Sequence, residues 1–106
     1  MTFIDLNQIP EKELVPGYHA RFVHTDNMTM AYWRVEAGAA LPAHSHPHEQ
    51  ITSVVSGQIE FNVNGEKRVM GPGEVAYIPG GAPHNALALS ECRLIDTFYP
   101  AREDYR

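Results

Sequence analysis

Two histidines one residue apart, His44 and His46, are followed four residues later by Gln50, and a further histidine, His84, lies downstream. Neutral imidazole nitrogen binds transition metals well, and such an ion takes several donors converging on one point. In an extended segment alternate side chains share a face, so His44 and His46 can aim at the same spot. His84, in Pro79-Gly80-Gly81-Ala-Pro83-His84-Asn85, is the natural source of a donor from elsewhere in the chain. Three neutral imidazoles and a neutral amide would leave the charge of a divalent ion uncompensated, making it a strong Lewis acid toward a bound oxygen. The donor set suits one divalent transition metal (Ni, Zn, Fe, Mn or Cu) without selecting among them.

A second chemical cluster stands near the C-terminus, where Leu94, Asp96 and Phe98 share a face if the segment is a strand. If Leu94 faces the core, Asp96 does too, and a buried carboxylate needs a partner or a task. Apolar neighbours would push its pKa up and make it a proton carrier. The structural alternative is an Asp bonded to a ligand histidine or to Arg102.

These residues need strands to position them. Met28–Val35, Ile51–Val55, Gln58–Val63, Glu66–Met70, Glu74–Ile78, His84–Leu89 and Arg93–Tyr99 are rich in branched and aromatic residues and are separated by turn residues. Asn64-Gly65 predicts a type I′ hairpin, because both central residues of that turn take positive φ. Residues 1–18, with Pro10, Pro16 and Gly17, read as an arm with a short strand or turn lying against the body. The pattern predicts an all-β barrel or sandwich, and closure into a barrel would remove exposed edges.

At 106 residues the chain is expected to be a single domain over 1–106. A net charge of -5 without a basic stripe argues against nucleic acid as a partner. No apolar run approaches the roughly 20 residues that span a bilayer. The N-terminal Met-Thr-Phe-Ile-Asp-Leu-Asn lacks a basic leader region, and the single cysteine, Cys92, suits a reducing compartment, so a cytoplasmic location is expected. Cys92 is assigned no chemistry. His19 and His24 belong to no motif and are expected at surface or strand positions.

Gly38-x5-His44-x-His46-x3-Gln50-x6-Gly57 resembles the first cupin motif, with Gln50 in place of the usual Glu. Gly73-x5-Pro79-x-Gly81-x2-His84 resembles the second, with Ala88 where a trailing Asn is usual and Asn85 nearby. The resemblance covers residues 38–57 and 73–88 and implies a conical jelly-roll β-barrel with an inward-facing metal near its mouth. Counting from His46 and back from Gly57 both lead to position 50. Residues 49 and 50 face opposite sides of a strand, so Gln50 is taken as the fourth ligand, with Glu49 and His48 at the rim. The alternative is that Gln50 only hydrogen-bonds a histidine, with Glu49 or water completing the site.

His-Ser-His-Pro-His-Glu-Gln-Ile-Thr, with the ending Asp96-x-Phe98-x-Pro100-x-Arg102-Glu103-Asp104-Tyr105, is similar to the KdgF-type pectin-degradation cupins. That resemblance implies an enzyme converting unsaturated uronate monosaccharides into linear keto sugars. It implies metal ligands at His44, His46, Gln50 and His84, and site residues at Asp96, Phe98 and Arg102. Asp96 would shuttle a proton as the enol-ether ring is hydrated and opened. Arg102 would take the uronate carboxylate, since its planar fork pairs bidentately. Two other readings are another metal-dependent cupin enzyme (a dioxygenase or an aromatic polyketide cyclase) and a non-enzymatic cupin that binds a metal or small ligand. For the former, Tyr32, Trp33, Phe61, Tyr77 and Phe98 would line an apolar pocket. A homodimer is expected, with the arm exchanged between copies.

Overall fold

The computed structural model describes residues 2–106. Ten strands run in order: β1 Lys12–Val15, β2 Tyr18–His24, β3 Thr29–Val35, β4 Ala40–His44, β5 Glu49–Ser56, β6 Ile59–Val63, β7 Glu66–Met70, β8 Val75–Ile78, β9 His84–Ala88 and β10 Cys92–Tyr99. They form a six-stranded sheet, β1-β2-β3-β10-β5-β8, and a four-stranded sheet, β4-β9-β6-β7. The paired strands are antiparallel. The molecule is all-β, with two antiparallel sheets packed over one core.

Period-2 alternation decides what is buried. On β2 it sends Tyr18, Ala20 and Phe22 inward; on β3, Ala31, Trp33 and Val35; on β10, Leu94 and Phe98. These meet Ile59, Phe61, Ala86 and Ala88 from the four-stranded sheet in one core. The hairpin joining β6 and β7 turns on Asn64 and Gly65, with φ of 52° and 85°. Positive φ at both positions is what a type I′ turn demands, and Val63 pairs with Glu66 to close it.

Three features differ from the sequence expectation. Among the described residues no ladder joins the two sheets, so β1 and β8 remain edges of one and β4 and β7 of the other. Closure is by packing of the sheets and not by a continuous hydrogen-bonded barrel. Second, Tyr18–His24 is a full strand, although His19, Arg21 and His24 interrupt its apolar texture. Its partners on both sides, β1 and β3, supply what the composition hides. Third, Ala40–His44 forms a short edge strand despite Pro42, a residue that edges tolerate.

Residues 2–15 contain a turn and a strand. A 3-10 turn at Leu6–Gln8 is capped by the Asp5 carboxylate, which accepts from the Asn7 N–H at 3.0 Å. The β1 strand then pairs with β2 of the same chain. Among the described residues no helix is long and apolar enough to cross a membrane.

Candidate metal centre and pocket

His44 ends β4 and His84 begins β9, and the antiparallel register sets them opposite each other with ring centroids 4.2 Å apart. His46 lies where the chain crosses from β4 in one sheet to β5 in the other, its ring 5.0 Å from that of His84. The Pro79-Gly80-Gly81 turn holds this crossing. The Gly81 N–H donates to His46 O at 2.8 Å. A Cβ on Gly80 would sit 2.5 Å from Pro47 O, so only glycine permits the approach. One ring nitrogen from each of His44, His46 and His84 lies within 4.8 Å of the others, and this triad could hold a metal ion.

The chemistry of the donors fits such an ion. His44 Nδ1 lies 2.9 Å from Pro42 O, and His84 Nδ1 2.9 Å from Ala82 O. A carbonyl only accepts, so both Nδ1 atoms carry the hydrogen and both Nε2 atoms keep a lone pair. His84 Nε2 is buried without a hydrogen-bond partner. Its companions in that condition, His46 Nδ1 and His48 Nδ1, are also imidazole nitrogens of this cluster. His46 Nε2 lies at hydrogen-bond distance, 3.2 Å, from Gln50 Oε1, the contact expected if Gln50 only hydrogen-bonds a histidine; the same spacing fits two donors bonded at about 2.1 Å to one ion, which would stand about 3.0–3.4 Å apart. Burial lowers the His84 pKa. Burial, with Arg102 and the other histidines adding to it, lowers that of His46 to about 4. Both rings are therefore neutral near pH 7.

Gln50 is 5 % exposed and faces inward, while Glu49 is exposed and its carboxylate accepts from the Tyr77 hydroxyl at 3.4 Å. Glu49 thus lies on the outer side, away from the cluster. His48 is half-buried beside His46, with ring centroids 5.4 Å apart.

Behind Gln50 runs a directed chain of hydrogen bonds. Gln50 Nε2 donates to Thr52 Oγ1 at 2.9 Å, and Thr52 Oγ1 donates to Asp96 Oδ1 at 2.6 Å. Trp33 Nε1 donates to Asp96 Oδ2 at 2.8 Å. Strand register brings these groups together: Asp96 pairs with Thr52, Phe98 with Gln50, and Leu94 with Trp33. Asp96 is buried with Leu94 and Phe98 on its face, as the alternation implied. Its hydrogen-bond partners are Thr52, directly across the ladder, and Trp33, diagonally across it, and not a ligand histidine or Arg102. Burial pushes its pKa up to about 6, against the opposing effect of the Thr52, Trp33 and Gln50 side chains and the Arg102 charge.

Arg102 is 6 % exposed, its guanidinium lying over the rings of Tyr105 (4.0 Å to the centroid) and Phe98 (4.8 Å). Nε and Nη2 form a bidentate pair with Asp104 at 3.0 and 2.8 Å. That hydrogen-bonded pair holds the Asp104 carboxyl below its usual range. The backbone is anchored too, since Arg102 N donates to the buried Thr29 Oγ1 at 2.8 Å.

His44, Gln50, His84, Asp96, Phe98 and Arg102 all line one cavity of about 470 Å³. Of the aromatic residues considered from the sequence, Trp33, Phe61 and Phe98 line it. Tyr32 and Tyr77 do not: both lie at outward positions of their strands, and Tyr77 is 58 % exposed. Tyr18, Tyr105 and Asp104 belong to the wall, as do Leu14 and Val15 of the arm. None of these five is marked for the pocket by a motif in the sequence. For Tyr18 the signal was its parity with Ala20 and Phe22; for Leu14 and Val15 there was none, because a hairpin edge decides where they go. Away from the site, His19 Nε2 lies 2.7 Å from Glu36 Oε2 and His24 Nδ1 lies 2.8 Å from Thr29 Oγ1. Cys92 is buried, which raises its thiol pKa.

Residues 31–98 match the cupin domain family. The pectin degradation protein KdgF of Dickeya dadantii (strain 3937) is 33% identical over 97% of this chain and 96% of its own. The structure of KdgF from a Halomonas species superposes with a TM-score of 0.93 at 30% identity, covering 100% of this chain and 99% of that one. An RmlC-like cupin from Shewanella frigidimarina NCIMB 400 gives a TM-score of 0.94 at 28% identity, covering 100% and 96%.

Proposed function

The chain belongs to the cupin domain family, and we propose that it is a metal-dependent enzyme that opens the ring of an unsaturated uronate sugar to a linear keto sugar. The observation that carries this reading is one cavity lined by His44 and His84 of the histidine triad, a buried carboxylate and a buried arginine, with His46 completing the triad behind its wall. The likeness to pectin degradation proteins along nearly the whole chain supports the substrate class. A cavity of about 470 Å³ is within the range of small-molecule sites, and a monosaccharide suits it.

His44, His46, Gln50 and His84 would hold one divalent transition ion, which when bound would supply Lewis acidity toward a sugar oxygen. The remaining work falls to the protein. Arg102 would take the uronate carboxylate through Nη1, since Asp104 already engages Nε and Nη2. Stacking against Tyr105 and Phe98 keeps the guanidinium in place while it does so. Phe98, between Arg102 and His46, offers its ring to the sugar.

Ring opening of such a substrate is an isomerisation. The anomeric hydroxyl gives up its proton as the bond from C1 to the ring oxygen breaks, leaving an aldehyde and an enolate. The enolate takes one proton back at C4 and becomes a ketone at C5, so no proton is gained or lost overall. Asp96 is the group to carry that proton, because a pKa of about 6 makes both of its forms accessible near neutral pH. Leu14, Val15 and Tyr105 add apolar and aromatic wall to the same cavity.

The test is a progress curve on lyase-generated unsaturated galacturonate, following loss of the conjugated alkene absorbance. Native, metal-loaded protein should accelerate the loss over the spontaneous rate. The acceleration should disappear after chelation and in Asp96→Asn. No acceleration by fully metallated protein would overturn the assignment.

A further inference from the structure

We propose that Thr52 is a positioning residue: its hydroxyl turns the Gln50 amide so that Oε1 faces the histidines, and it ties that amide to Asp96. The inference deepens the proposed function and rests on its metal site. Thr52 is fully buried at 0 % exposure, and Gln50 is 5 % exposed, so neither has bulk water as a substitute partner.

The direction of the chain follows from proton counting. A hydroxyl has one hydrogen to give. Asp96 Oδ1, 2.6 Å away, is an acceptor when ionised and therefore takes it. The Thr52 oxygen is then left only to accept, and the group 2.9 Å from it on Gln50 must be the N–H side of the amide. Oε1 consequently lies on the other side, 3.2 Å from His46 Nε2. Turning the amide over would set Oε1 against an oxygen with no hydrogen to offer. It would also direct N–H groups at the side where an ion needs a lone pair.

The same count explains why an amide stands at position 50. A carboxylate there would compete with Asp96 for the single Thr52 hydrogen, leaving two buried anions sharing one donor. Gln50 instead donates to the hydroxyl that donates to Asp96. Strand geometry makes the arrangement rigid: Thr52 is two residues from Gln50 on the same face of β5, and Asp96 is its cross-strand partner on β10.

The experiment compares wild type, Thr52→Val and Thr52→Ser. Metal-free protein is titrated with Co²⁺ and followed by its visible absorption bands, which report coordination. In parallel, the side-chain amide resonances of Gln50 are recorded by NMR in metal-free protein. Thr52→Val should weaken Co²⁺ binding about 10–100-fold and alter the band pattern, while Thr52→Ser stays within about threefold of wild type, as expected for a partner that orients a ligand. The Gln50 amide should show a hydrogen-bonded proton in wild type and Thr52→Ser that is lost in Thr52→Val. Wild-type affinity and spectrum in Thr52→Val would overturn the proposal. So would an equal loss in Thr52→Ser, which would assign the effect to methyl packing. If Thr52→Val does not fold, the serine variant and the wild-type amide signal still decide. Failure of wild type to bind Co²⁺ would remove the metal reading itself, and the amide resonances would then decide separately whether Thr52 orients Gln50.

Discussion

Asp96→Asn isolates the energetic consequence of burying a carboxylate in this pocket wall. The folded-state pKa of about 6 lies above the ordinary aspartate value of 3.8, so between these values the folded protein binds more protons than the unfolded chain. Stability is therefore fully present below about pH 3.8 and is lost as pH rises through about 6. A shift of this size corresponds to about 3 kcal/mol in full, of which about 2.5 kcal/mol falls between pH 4 and pH 8. His46 and His84 act in the opposite direction, because their lowered pKa values make the folded state resist protonation as pH falls. The difference between wild type and Asp96→Asn separates the carboxylate from them. Asparagine keeps an acceptor for one of the two donors, Trp33 Nε1 and Thr52 Oγ1, and removes the ionisation. Urea denaturation of metal-free protein at about pH 4, 5, 6, 7 and 8 should show the variant gaining about 2–3 kcal/mol on wild type across the series. A difference that stays flat with pH would mean that Asp96 has an ordinary pKa, and its part as a proton carrier would fall with it.

Gly57→Ala should be severe, since Gly57 has φ +80° and a Cβ there would collide with the Glu91 carbonyl and lie 2.9 Å from Cys92 Cα. A loss of about 3 kcal/mol or more, read as a thermal midpoint lowered by roughly 10–20 °C, is expected. Gly65→Ala, at φ +85° with nothing within 4 Å, should lose only about 1–2 kcal/mol; equal losses would refute the steric account. Arg102→Lys keeps the charge but removes the planar fork and its stacking on Phe98 and Tyr105. On the uronate substrate it should lower kcat/KM by about 10–100-fold, chiefly through KM, and unchanged KM would argue against carboxylate binding at Arg102.

Much of the molecule is legible in the residues because local rules govern it. The positive φ required by Asn64-Gly65 places a hairpin, and period-2 alternation puts Leu94, Asp96 and Phe98 on a buried face. The same alternation separates Gln50 from Glu49, and the spacing of His44, His46 and His84 marks the cluster that the fold brings within 4.8 Å. What spacing cannot provide is the identity of the neighbour across a ladder or between sheets. Thr52 meets Asp96 only because β5 and β10 pair in that register, and one residue of slip would send every one of these side chains to the other face. Leu14 and Val15 enter the pocket wall only because β1 folds back on β2. Asp104 occupies two donors of Arg102 because the tail turns at Glu103–Tyr105. The residue types and their faces were thus determined along the chain, where sterics and alternation act over a few residues. Their partners, and with them the direction of the hydrogen-bond chain and the raised pKa of Asp96, were decided by tertiary packing, because burial and register are properties of the assembled sheets.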